Sequence, residues 1–125
     1  SLDAAEGHWT KAKLAEKRKE FSSAEEQLRR AIDASPQRVG RLIDLARFLA
    51  RQGRYQEAEQ SFARAEKVAP NSPKVIYAKA DVYIKTGRNV ELAKTLLKRY
   101  MTMKLSPEDP TRADAARLLK QAEKS

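Results

Sequence analysis

Five positions of the chain return 34 residues later with the same kind of side chain. Phe21, Ala24, Leu28, Ala31 and Pro36 fall on Tyr55, Ala58, Phe62, Ala65 and Pro70. Moved forward by the same step, Ala46 falls on Ala80 and Gly53 on Gly87. One extra residue near Asn89 then restores the match, pairing Ala58 with Ala93 and Phe62 with Leu97. A fixed period of this length means one supersecondary unit used repeatedly, each copy burying a face that it cannot bury alone.

Each unit reads as two helices. Residues 39–52 carry Leu42, Leu45, Ala46 and Leu49 at helical spacing and stop at Gly53, which takes the left-handed turn that ends a helix. A second helix from Tyr55 to Val68 places Ala58, Phe62 and Ala65 on one face. Alanine at 46, 58 and 65 lets helix axes approach closely, and Tyr55 and Phe62 fill the space beside them. Pro70 breaks the second helix. Ser72-Pro73 is expected to open the next, with Ser as N-cap and Pro in the first turn. Ser35-Pro36 and Ser106-Pro107 are expected to repeat that opening.

The pattern Leu42, Leu45-Ala46, Leu49, Gly53, Tyr55, Ala58, Phe62, Ala65, Pro70 resembles the signature of the tetratricopeptide repeat family. The resemblance covers residues 5–38, 39–72 and 73–106, followed by a closing helix at 107–124 in which Ala115, Leu118, Leu119 and Ala122 form an apolar stripe. It departs from the pattern at His8, Lys11 and Lys19 in the first unit, and at Asn89 and Tyr100 in the third. The implied fold is all-α: an α-solenoid of three antiparallel helix pairs in one domain over residues 1–125, closed by a polar-backed capping helix, seven helices in all. No comparable cap precedes the first unit and there is no initiator Met, so a processed product with further repeats upstream is expected.

Composition narrows the chemistry. A chain of 125 residues forms one domain. With only 6% aromatics, its interior is built largely from Ala, Leu, Val and Ile. The absence of Cys excludes disulfides, thiolate nucleophiles and Cys-bound metal, and is compatible with the cytosol and an oxidising compartment alike. No apolar run approaches the ~18 residues of a membrane span. His8 is the single histidine, so no His-pair metal site exists, and no Gly-x-Ser-x-Gly elbow presents a nucleophile to it. Gly7, Gly40, Gly53 and Gly87 never cluster into a phosphate-cradling loop. Glu25-Glu26 and the pair Glu57 and Glu59 lie among bases, which suits solvated helix faces. No catalytic residue, cofactor or metal is expected.

In a solenoid of this family the first helix of each unit lines the concave surface, and the resemblance implies that peptides bind there. Read along those helices, the chain supplies Trp9, Lys13 and Lys17, then Ile43, Arg47 and Arg51, then Tyr77, Asp81 and Lys85. Each triple has i, i+4, i+8 spacing and so shares a face. Lys74 adds charge beside Tyr77, while Asp44 and Asp81 subtract some. Lys17, Arg51 and Lys85 recur at the repeat period and form one basic ladder. Arg30, Arg64 and Arg99 form another on second helices, expected to face outward. Like charges ~10 Å apart in water repel by only ~0.4 kcal/mol, so such ladders persist without any ligand.

The formal charge of +9, from 26 Lys+Arg against 17 Asp+Glu, favours acidic partners. The expected function is a non-catalytic interaction scaffold that holds an extended, acidic peptide in its groove. Two alternatives stand beside it: single-stranded RNA binding through basic residues and stacking aromatics, and a spacer or oligomerisation segment of a longer repeat protein. The Asn and Lys clamp with which some relatives hold a terminal carboxylate is absent, because Asn71 and Asn89 both lie at helix junctions.

Overall fold

A computed structural model describes residues 2–124. The described residues form seven helices and no strand: α1 (Leu2–Lys17), α2 (Phe21–Ala34), α3 (Val39–Arg51), α4 (Tyr55–Val68), α5 (Pro73–Thr86), α6 (Val90–Tyr100) and α7 (Arg112–Glu123). This is the all-helical architecture of an α-solenoid repeat. The chain divides into two compact units, Ser1–Ala69 and Pro70–Ser125. The first holds α1 to α4 and the second α5 to α7.

In the first unit α1 pairs with α2, α3 pairs with α4, and α2 packs on α3. Small residues make this packing close. Ala24, Ala31, Ala46, Ala58 and Ala65 are all buried, which brings the helix axes together. Leu28, Leu42, Phe48, Leu49 and Phe62 then fill the space, Phe62 with no exposed surface. Burying one such large side chain contributes about 1.5–3 kcal/mol. The buried Ser61 hydroxyl donates to the Leu42 carbonyl at 2.7 Å, so its polar atom is satisfied.

The turn within each pair needs one left-handed residue. Gly53 supplies it at φ 75° and Gly87 at φ 69°. Lys19 takes the same position in the first pair at φ 62°, a conformation that costs an L-residue about 1–2 kcal/mol. Asn89, the site of the extra residue, is also left-handed at φ 53°, and asparagine tolerates this better than most.

The Ser-Pro pairs do not act alike. Ser72 is the N-cap of α5 with Pro73 at its start, although the Ser72 side chain makes no capping hydrogen bond. Ser35 instead ends α2: its N–H bonds to Ala31 and Ile32, and Pro36 has no N–H with which to continue. The helix that follows starts at Val39 with Arg38 as N-cap. Ser106-Pro107 opens no helix either. Asp109 accepts hydrogen bonds from the N–H and the hydroxyl of Ser106, at 2.8 and 3.0 Å, and folds that segment into a turn. The last helix begins later, at Arg112, because Thr111 and Asp114 form a reciprocal capping box there.

In the second unit α7 packs against α5 and α6. Ala115, Leu118 and Ala122 close over Ile76, Ala80, Tyr83, Ala93, Leu97 and Tyr100. Tyr100 stands where the repeat pattern has a small alanine, and it is fully buried. Its ring packs against Tyr77 of α5, and its hydroxyl is bonded to the irregular stretch ahead of α7.

Candidate functional site

In the first unit the side chains of α1 and α3 reach one another at an offset of 35 residues. Trp9 Nε1 donates to Asp44 Oδ2 at 2.6 Å, Arg41 Nη2 donates to Glu6 Oε2 at 2.9 Å, and Arg51 Nε donates to Glu16 Oε2 at 2.8 Å. Lys13 lies 3.8 Å from the other oxygen of Asp44. Two cations flank the Trp9 ring, Arg41 at 4.8 Å and Lys13 at 5.7 Å from its centroid. Each such contact contributes ~0.5–1 kcal/mol at a solvated site and more when desolvated. Trp9, Lys13 and Arg51 are therefore brought together with Asp44, Arg41 and Glu16. Lys17 is exposed at the end of α1 and Arg47 is half-buried. Ile43 differs from a surface anchor: at 8% exposure it belongs to the packed interior and offers a ligand little area.

In the second unit Tyr77, Asp81 and Lys85 line an open cleft of about 340 Å³. The opposite wall comes from α7, with Asp114, Arg117, Leu118 and Gln121. The Tyr77 ring rests against Tyr100, centroids 5.3 Å apart. Lys85 is paired with the buried Asp81 at 3.0 Å and Arg117 with Asp114. The cleft thus sets Tyr77 and Leu118 beside two cations, each held by a carboxylate on its own helix. Lys74 reaches away to Asp109, its Nζ donating to Oδ1 at 3.0 Å. Burial of Asp109 would raise its pKa, but hydrogen bonds from the Ser106 N–H and from Lys74 outweigh burial and hold it below the usual carboxylate range.

The second basic ladder has partners of another kind. Arg30 pairs with Glu26 along α2, Arg99 donates to Asn71, and Arg64 is exposed beside Leu42, Leu45 and Leu49. A denser ionic network ties α2 to the α3–α4 turn. Arg54 bonds both Glu25 and Glu57, and Arg29 reaches both. The Arg54 hydrogen bonds draw both carboxyls below their usual range and push the guanidinium up.

Spacing along single helices named the cations, with Asp44 and Asp81, but not the other acids that hold them. Glu6, Glu16, Asp109 and the buried Arg41 went unnoticed as parts of the site. The signal that finds Glu6, Glu16 and Arg41 is the 35-residue offset, one repeat plus one residue, between α1 and α3; Asp109 lies at the same offset from Lys74 but on no helix. His8 has a structural partner, its Nδ1 lying 2.7 Å from Gln27 Oε1. Among the described residues, no group of three or more His, Asp or Glu is arranged to hold a metal ion. No described helix is long and apolar enough to cross a membrane.

Helix pairs at a 34-residue period, turning on Gly53 and Gly87, are what a family comparison recognises. A sequence model described as tetratricopeptide repeat matches residues 14–75 and again 49–122. The chain belongs to the tetratricopeptide repeat family. Tetratricopeptide repeats generally mediate protein–protein interaction, and they are typically non-catalytic scaffolds. No curated protein matches the chain closely enough to serve as a relative. The residues Leu42 to Pro70 that carry the family pattern all lie inside the match at 14–75, and those from Leu49 onward also lie inside the match at 49–122.

Proposed function

We propose that this tetratricopeptide protein is a non-catalytic scaffold whose first helices hold an extended, acidic peptide. The observation that supports this most directly is the surface shared by α1 and α3. There Trp9 is flanked by Arg41 and Lys13, and Lys17, Arg47 and Arg51 follow by helical register. Most of these cations are held by partly exposed acids. Exposed pairs of this kind contribute only about 0–1 kcal/mol each, so a ligand carboxylate exchanges with them at small cost. In the second unit Tyr77 and Lys85 stand on α5 beside an open cleft, with Asp81 holding Lys85 and Lys74 turned to Asp109.

RNA binding is favoured less. The two aromatic platforms it needs already have partners, Trp9 under Arg41 and Tyr77 against Tyr100. Titrating a fluorescent acidic peptide and a single-stranded RNA at two salt concentrations separates these readings. Peptide binding should be selective and moderately sensitive to salt. Submicromolar RNA binding with the steep salt dependence of counterion release, and no peptide preference, would sink the proposal.

A further inference from the structure

We propose that Arg38 and Arg41, at the start of α3, form a seat for a peptide carboxylate, and that Glu6 of α1 is its internal occupant. The inference rests on the acidic-peptide reading and locates one acid of the ligand.

The start of α3 is electropositive and open. Arg38 is the N-cap, no side chain caps the helix, and no acid stands in its first turn. The dipole end therefore lacks the negative partner that helix N-termini favour, although the N–H groups of Arg38 and Arg41 already bond to the carbonyls of Ser35 and Arg38. Beside them Gly40 leaves open space: a Cβ built there would meet nothing within 4 Å.

Arg41 is the second and independent observation. Its side chain is only 9% exposed, stacked over Trp9, and its Nε is buried without a hydrogen-bond partner. A guanidinium presents Nε and Nη2 on one edge, which matches the two oxygens of a carboxylate. Glu6 satisfies that edge only in part. Its Oε2 alone accepts from Arg41 Nη2 at 2.9 Å and from Arg38 Nη1 at 3.1 Å. Asp44 lies 3.9 Å from Arg41 Nη1, on the other side of the group, and is already taken by Trp9. Two arginines thus converge on one oxygen of a half-exposed glutamate while a buried donor stays unpaired. A ligand carboxylate that displaces Glu6 and meets the edge with both oxygens satisfies what Glu6 leaves open.

The test uses the whole chain and a capped peptide alternating Glu and Ala, so that only side-chain carboxylates are offered; a Gln-Ala peptide is the control. Trp9 is the single tryptophan and touches Arg41, so its emission reports occupation of the seat. Glu6→Gln removes the internal competitor, and Glu20→Gln, at an exposed position, makes the same change in net charge elsewhere. The expected result is about five- to tenfold tighter binding of the Glu-Ala peptide by Glu6→Gln than by Glu20→Gln, with a shift in Trp9 emission. Arg38→Gln, which alters an exposed side chain, should weaken binding at least about fivefold. Circular dichroism checks that the variants stay helical. If wild type binds the Glu-Ala peptide but Glu6→Gln behaves like Glu20→Gln, or Arg38→Gln binds like wild type, the seat is refuted and the scaffold reading survives. If no form prefers Glu-Ala to Gln-Ala, both fall.

Discussion

The hydroxyl of Tyr100 donates to the carbonyl of Pro110 at 2.5 Å, and the ring beneath it is fully buried. One residue thereby ties the end of α6 to the irregular segment that leads into α7. Arg112 makes a second tie, donating to the carbonyls of Met101 at 3.1 Å and Met103 at 2.6 Å. The closing helix is placed by these bonds as well as by its own apolar stripe.

Tyr100→Phe keeps the buried ring and removes the bond. It leaves the Pro110 carbonyl without that donor and should destabilise the protein by about 1 kcal/mol in urea unfolding. The same variant should change the alkaline limb of stability. Burial, with Asp109 nearby, pushes the Tyr100 hydroxyl up to about 12 from an ordinary value of 10. A group raised on folding contributes stability that is complete below its unfolded pKa and is lost as pH climbs through the folded one. Wild type should therefore lose stability between pH 10 and about 12 more steeply than Tyr100→Phe. Parallel unfolding curves for the two proteins across that window would contradict the assignment.

Lys19 is exposed and left-handed, in the turn position that Gly53 fills one repeat later. Replacing it with Gly removes the steric strain and adds unfolded-state entropy, and the first term is the larger. Lys19→Gly should stabilise by ~0.5–1 kcal/mol. Gly53→Ala should destabilise by a similar or larger amount, although there is open space for its methyl group, because only the backbone conformation opposes it. Chemical denaturation with both variants checks the pair of opposite signs.

Much of the fold was legible because small and large apolar residues recur where helices must touch. Gly53, Ala58, Phe62 and Ala65 specify a turn and a packed face with no help from distant residues. Tyr100 was legible as a departure from that pattern, but its outcome depends on Pro110, in a segment with no periodicity to read. Ser72-Pro73 opens α5 as expected, but the other two Ser-Pro pairs misled for a similar reason. A serine before proline suits a helix start, yet Ser106 is claimed by Asp109 and Ser35 closes the helix behind it. At the candidate site, helical spacing tells which residues share a face and says nothing of which acid on another helix will hold each cation. Ile43 shows the opposite limit, since its place in the triple did not reveal that it is buried.

The central claim is that the first-helix cations, rather than bulk charge, hold an acidic ligand. Two triple variants test it at equal cost in charge: Lys17→Gln, Arg51→Gln and Lys85→Gln on first helices, and Arg30→Gln, Arg64→Gln and Arg99→Gln on second helices. Each lowers the net charge from +9 to +6, so long-range steering should suffer alike in both. The measurement is the dissociation constant of an acidic peptide near physiological ionic strength, where exposed charges beyond ~8 Å are largely screened. The account predicts at least about a tenfold loss for the first-helix triple and less than about threefold for the second-helix triple. Equal losses from the two proteins would contradict it.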